Sequence, residues 1–317
     1  MKHFNKYTIA SLNAALFVIS CTSNESALNN EISERGYNDS SRLVSTDWLE
    51  NELSNEDVIV IDVRNKEQYD AGHIPGAYHM TPGEVFQQEI DGVKGMLPSA
   101  SHIENNLSLT GATPNSTIIF YDGNSNLWSS RGLWALEVYG HKNTKLLDGV
   151  WGKWESEGRE VSTSIPETKS SNYKFSSPAD NSLIAGIDEI IESIDDPSKI
   201  VCDTRSPEEY SGKDVRAERG GHIPESKNVN WVMGVNESGE FKSANELKKL
   251  YDDAGITDGE TIYTLCQTAV RATHTWFILS DLLGEENVKV YDGSWTCLLY
   301  TSPSPRDATL SRMPSSA

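Results

Sequence analysis

Cysteine is scarce in this chain: four in 317 residues, at positions 21, 202, 266 and 297. So few, so widely spaced, they are not a disulfide framework of the kind that replaces a core in small secreted domains. At this length the chain can bury two cores of ordinary size. Positive charge is also short, with 27 Lys and Arg against 47 Asp and Glu and a formal net charge of −20. That balance argues against a nucleic-acid partner, because affinity for phosphate backbones comes from clustered Lys and Arg. An anionic substrate would have to be held by local positive charge against the field of the whole molecule. The mostly apolar run over residues 8–20 is too short to span a bilayer.

That run follows Lys2 and Lys6 and suits the core of a signal peptide over residues 1–20. Val18-Ile19-Ser20-Cys21 resembles the lipobox of bacterial lipoproteins, which implies lipidation at Cys21, export, and a lipid anchor in the bacterial cell envelope, on the periplasmic side or the surface. Residues 22–44, rich in Ser, Asn and Glu, then read as a flexible tether. At the other end, residues 297–317 carry three prolines and no periodicity. Back-translated, they look like read-through of a sequencing-library adapter, so they are expected to be a non-native tail outside the fold.

Between these ends the same series of signals occurs twice. VIVIDVRNKEQYDAGHIPGAYHM (58–80) and TIIFYDGNSNLWSSRGLWALEVYGHKNTKLLDGVWGKW (117–154) are followed by IVCDTRSPEEYSGKDVRAERGGHIPESKNVNWV (200–232) and TIYTLCQTAVRATHTWFILSDLLGEENVKVYDGSW (261–295). Asp62 pairs with Asp203, Arg64 with Arg205, the Gly72–Pro75 turn with Gly221–Pro224, and Asp148-Gly149 with Asp292-Gly293. The repeat divides the chain into domains over 45–164 and 182–296, joined by a polar linker over 165–181. In each copy, β-branched runs such as VIVID and TIYTL alternate with helical patterns such as SSRGLWALEVYG and ATHTWFILSDLLG. Continuous apolar strands alternating with helices predict an α/β fold, each copy a parallel sheet flanked by helices. In such sheets ligands sit beyond the carboxyl ends of the strands, and Cys266 stands there.

The paired D-x-R…GHIP elements, the DG-x-W endings and the CQTAVRA loop resemble the tandem-domain rhodanese sulfurtransferases over essentially all of residues 45–295. The resemblance implies two tandem rhodanese-like domains, of which only the C-terminal one is catalytic, since Asp122 stands where Cys266 would be. It implies that Cys266 attacks the outer sulfur of thiosulfate, holds it as a persulfide and yields it to cyanide or a thiol acceptor, with no metal and no cofactor.

The residues support this reading on their own terms. Backbone N–H groups of Gln267, Thr268, Ala269, Val270 and Arg271, with the helix dipole behind them, can converge on the sulfur and favour its charged form. Arg271 is the first candidate for gripping an anionic donor; Arg205 and Arg219 follow, each with a surface ion pair as the plainer alternative. Asp203 is expected to organise Arg205 or the loop backbone. His222 and His73 share one turn in both copies, one of which lacks the nucleophile, so their common role should be structural. Cys202, inside a strand, should be core. Trp128 and Arg131 of the first copy could face the active half.

Three alternatives remain open at this stage: a mercaptopyruvate sulfurtransferase, disfavoured because Glu209 stands where such relatives usually carry Arg; a phosphatase with a longer Cys-to-Arg loop; and a non-catalytic envelope binding module. Tandem copies can act as a pseudo-dimer within one chain, so a monomer is the expected state.

Overall fold

The structure, a computed structural model, describes residues 28–168 and 170–300. The signal-peptide and lipidation expectations at residues 1–21 lie outside the described residues, as do residues 301–317.

Two five-stranded parallel sheets form the frame. In the N-terminal half the strands are β1 (Leu43–Val44), β2 (Val58–Asp62), β3 (Tyr78–His79), β6 (Thr117–Tyr121) and β7 (Thr144–Leu147), in the order β1-β7-β6-β2-β3. The C-terminal half repeats this as β8 (Ile184–Ala185), β12 (Val288–Tyr291), β11 (Thr261–Leu265), β9 (Lys199–Asp203) and β10 (Lys227–Asn228). The register repeats as well: Asp62 lies beside Tyr121, and Asp203 beside Leu265. β2, β6, β9 and β11 are buried along almost their whole length, as apolar strands covered on both faces must be.

The repeated D-x-R…GHIP pattern forms one clamp, built twice. In β2, Asp62 takes Arg64 through Nε and Nη2, and Nη2 also donates to the carbonyl of Gly72 at 2.7 Å. Asp203, Arg205 and Gly221 repeat this, with the last bond at 2.8 Å. Each guanidinium lies over a tryptophan of the DG-x-W ending, Trp151 at 4.0 Å and Trp295 at 4.3 Å. His73 stacks on Tyr69, and His222 on Tyr210, both at 3.9 Å, and in each case Nδ1 bonds the tyrosine carbonyl at 2.9 Å.

Four details differ from the sequence reading. Residues 28–44 are not a free tether. Ile32, Leu43 and Val44 are buried, β1 is a sheet strand, and residues 35–42 run across both halves. Arg35 reaches Asp148 at 2.6 Å and Glu240 at 3.1 Å, and Arg42 reaches Asp281 at 3.1 Å. The polar composition hid this because the partners are distant in sequence. The linker is likewise fixed: Tyr173 is buried and meets His141 at 2.9 Å, while the backbone of Phe175 donates to Glu104. The pattern over 272–284 is a helix, Val270–Phe277, that continues as a π turn, Ile278–Leu282. Finally, Cys297 and Leu298 belong to the last helix, Ser294–Tyr300, where Leu298 packs beside Trp295 one turn away. Exclusion from the fold at 297 was therefore too early.

Between β3 and β6 the N-terminal half adds an antiparallel hairpin, β4 (Gln88–Ile90) and β5 (Val93–Met96). A shorter excursion in the C-terminal half carries an isolated bridge between Val235 and Phe241. Each reaches across to the opposite half, the hairpin side to the Cys266 loop and the excursion bridged by Val235 and Phe241 to the equivalent loop after Asp122.

Candidate active site

β11 ends at Leu265, and Cys266 is the first residue beyond it. The chain then turns through Gln267, Thr268 and Ala269 into the helix Val270–Phe277. The turn is tight because Ala269 takes a left-handed conformation, φ 61°, at the helix N-cap, a geometry that costs an alanine free energy.

A hydroxyl that the sequence reading passed over holds this turn. Ser294 Oγ accepts the backbone N–H of Cys266 at 3.2 Å and that of Ala269 at 3.0 Å, and donates to Tyr291 O at 3.0 Å. The backbone N–H of Trp295 in turn donates to Cys266 O, also at 3.0 Å. The signal was present: the copy with the cysteine ends in DGSW, the other in DGVW. Val150 occupies the place of Ser294, with the same positive φ.

Cys266 is buried, with a relative exposure of 1%. Arg271 lies close enough for the sulfur to act on it. Burial alone would lower the Arg271 pKa, but hydrogen bonds to Glu209 and the proximity of Cys266 push it up. Arg271 gives both terminal nitrogens to Glu209, at 2.5 and 2.9 Å. Glu209, although burial works against its charge, is held down at about 2 by Arg271. The sequence reading had Arg271 free to grip a donor; the structure shows its charge shared with a carboxylate. Arg216, a residue not singled out from sequence, lies 3.9 Å from Glu209 and is exposed. Its carbonyl accepts Gln267 Nε2 at 3.3 Å.

The other candidates are placed as follows. Arg205 is buried in the clamp described above, bonded to Asp203 and Gly221 and covered by Trp295. It is therefore not a donor-gripping residue, and it is not the surface ion pair that was its alternative. Asp203 and His222 serve the same clamp. Arg219 is exposed and contributes its carbonyl to Trp295 Nε1 at 3.1 Å. Thr268 faces the N-terminal half: its carbonyl accepts Gln87 Nε2 at 2.9 Å. Val270 opens the helix. Cys202 is fully buried, and burial pushes its thiol pKa well up. Cys202, Cys266 and Cys297 are free thiols. Among the described residues no group of three or more His, Cys, Asp or Glu is placed to hold a metal ion.

In the N-terminal copy Asp122 stands where Cys266 does, and its surroundings show what such a loop can hold. The buried carboxylate accepts the backbone N–H groups of Asn124, Asn126, Trp128 and Ser129, at 2.8 to 3.3 Å. Burial raises the Asp122 pKa while those four bonds pull against it. The loop after this strand is therefore a cradle for one anion, and in this copy the chain supplies it.

Two copies of one parallel sheet, one ending in an internal carboxylate and the other in a thiol before a helix N-terminus, define a two-domain α/β protein in which one of the two equivalent loops carries a thiol. A rhodanese-like domain matches residues 45–157 and again 187–297, and the chain belongs to that family. A protein of Saccharopolyspora erythraea that carries the provisional name thiosulfate sulfurtransferase is 41% identical over 80% of this chain and 92% of its own length. A protein of Thermus thermophilus named sulfur carrier protein TtuD is 36% identical over 82% of this chain and 94% of its own. Among solved structures, the 3-mercaptopyruvate sulfurtransferase SseA of Escherichia coli superposes with a TM-score of 0.71 at 23% identity, covering 80% of this chain and 98% of that one. An anaerobic ergothioneine biosynthesis enzyme of Chlorobium limicola superposes with a TM-score of 0.74 at 20% identity, over 88% of this chain and 71% of that one. These two likenesses speak for the fold.

Proposed function

We propose that this protein is a sulfurtransferase that takes sulfane sulfur from thiosulfate onto Cys266 and passes it to a thiophilic acceptor. The observation that carries this reading is Cys266 at the end of β11, at the mouth of a loop whose counterpart around Asp122 cradles an anion with four backbone N–H groups. A thiolate, and after it a persulfide anion, is the charge such a loop would stabilise in the copy that lacks the carboxylate.

The steps balance without a metal or an external oxidant. The Cys266 thiolate attacks the outer sulfur of thiosulfate; the bond between the two thiosulfate sulfurs breaks, and its electron pair leaves with sulfite. Cyanide then attacks the outer sulfur of the persulfide, the cysteine sulfur leaves as thiolate, and thiocyanate departs. This is covalent catalysis in two half-reactions. Arg271 is a cation close enough to interact with the reacting sulfur; sharing it with Glu209 keeps a half-buried guanidinium paired until an anionic donor arrives. Thiosulfate is favoured over mercaptopyruvate by the relatives that match most of the chain at about 40% identity.

The reading includes a monomeric enzyme and, from Val18–Cys21, a lipid anchor in the cell envelope. Initial rates of thiocyanate formation at varied thiosulfate and cyanide test the chemistry. Parallel double-reciprocal lines are expected; intersecting lines would contradict a persulfide that outlives sulfite release.

A further inference from the structure

The half without a nucleophile reaches the Cys266 loop from two directions. From the first, the buried Arg131, in the helix Leu127–Val138, donates to Asp292 at 2.7 Å. Its other nitrogens go to the carbonyls of Phe86 and Gly95 at 3.1 Å. Asp292 also accepts the backbone N–H of Leu97 at 2.6 Å. Two residues on from Asp292 is Ser294, the hydroxyl that holds the backbone of Cys266 and Ala269. From the second direction, Gln87 donates to Thr268 O, and Gly95, at φ 86°, approaches so closely that an added Cβ would stand 2.7 Å from Thr268 Cβ.

Resting on the assignment of Cys266 as the sulfur carrier, we propose that Arg131 and Gln87 are positioning residues for the sulfur-transfer reaction, fixing the nucleophile loop from the opposite half through Ser294 and through Thr268. The N-terminal half is then part of the catalytic apparatus rather than a lapsed copy kept as scaffold. Asp292 has little freedom once Arg131 and Leu97 hold it, and a short turn transmits its position to Ser294. Losing either contact leaves the loop anchored on one side only.

The molecule supplies its own control. Asp148, the counterpart of Asp292, also pairs with an arginine, Arg35, and also accepts a backbone N–H from the opposite half, that of Phe241 at 3.2 Å. This second pair serves the loop that carries Asp122. Both pairs join an arginine to a buried aspartate, with Arg131 fully buried and Arg35 partly exposed, and they differ in which loop they support.

The test is alkylation by iodoacetamide, mapped by mass to individual cysteines in Arg131→Met, Gln87→Leu and Arg35→Met. Cys202 is buried in the sheet and reports global opening; Cys266 reports opening of the loop as well. In Arg131→Met and Gln87→Leu the ratio of Cys266 to Cys202 labelling is expected to rise about threefold or more while sulfur loading from thiosulfate slows. In Arg35→Met the ratio should stay as in the unaltered protein, even where thermal stability falls as far. An unchanged ratio in both of the first two variants, or an equal rise in Arg35→Met, would overturn the proposal. If Arg131→Met does not fold, Gln87→Leu, which removes only the side-chain amide bonds to Thr268 O and Gly95 O, decides the matter. Labelling does not depend on the donor, so failure of the unaltered protein to load sulfur would count against the proposed function while the ratio still tests the positioning.

Discussion

Asp122 and Cys266 stand at the same point of the two halves. Each follows the central strand of its sheet, and each offers its carbonyl to the backbone N–H of the DG-x-W tryptophan, Trp151 at 2.9 Å and Trp295 at 3.0 Å. The loops beyond them differ by one residue: Asn126 takes the left-handed position in the first copy and Ala269 in the second. That alignment sets Trp128 opposite Arg271.

Restoring a thiol to the first copy should therefore not restore chemistry. Asp122→Cys in a Cys266→Ser background is expected to gain no sulfur from thiosulfate, because that loop lacks both the Arg271 cation and the Ser294 hydroxyl. Mass mapping of the peptide carrying residue 122 checks this; sulfur found there would show that the nucleophile alone separates the two copies.

Ser294→Ala isolates the hydroxyl without asking a new backbone conformation of the turn. Two buried N–H groups, of Cys266 and Ala269, lose their acceptor, at a cost of about 1–3 kcal/mol for each one left unsatisfied. Denaturant unfolding should register a loss on that scale, and single-turnover sulfur loading should slow by roughly tenfold, about the effect of removing 1.4 kcal/mol of support for the reacting geometry. Loading at the original rate would remove Ser294 from the account.

Arg205→Ala should unfold the protein more readily rather than weaken donor binding. It leaves Asp203 buried without its partner, which costs about 3–5 kcal/mol. Urea unfolding together with the thiosulfate KM separates the two readings: a large rise in KM with stability intact would return Arg205 to the substrate site.

Glu209 sets a pH dependence with a defined sign. Its folded pKa of about 2 lies below the ordinary 4.5, held there by Arg271 against the opposing effect of burial. The ion pair thus contributes stability above pH 4.5 that is lost as pH falls toward 2. The stability difference between the unaltered protein and Glu209→Gln should be on the order of 2 kcal/mol near pH 6 and shrink below pH 4.5. Chemical unfolding from pH 2.5 to 6 checks this; a difference independent of pH would mean that the pair does not carry the shift.

The duplication, the parallel sheets and the position of Cys266 were legible because they rest on local pattern: β-branched runs, turn residues, and a cysteine after the fourth strand of one copy alone. The D-x-R…GHIP signal was read correctly as a repeat but not as a clamp. Asp203 was expected to organise Arg205 or the loop backbone, as it does, but only the fold brings Gly221 O and the Trp295 ring to enclose the pair. Arg35 was invisible for a similar reason: its segment is polar in composition, while its partners Asp148 and Glu240 lie more than a hundred residues away. Ser294 differed between the two copies in plain view, yet its meaning depends on Cys266 and Ala269 turning back to meet it.

The most direct test of the central claim is the intact mass of residues 22–300 after thiosulfate and then cyanide. The account predicts a gain of one sulfur atom in the first step, its loss in the second, and no gain in Cys266→Ser. A folded protein whose mass does not change, or one that gains sulfur without Cys266, would contradict it.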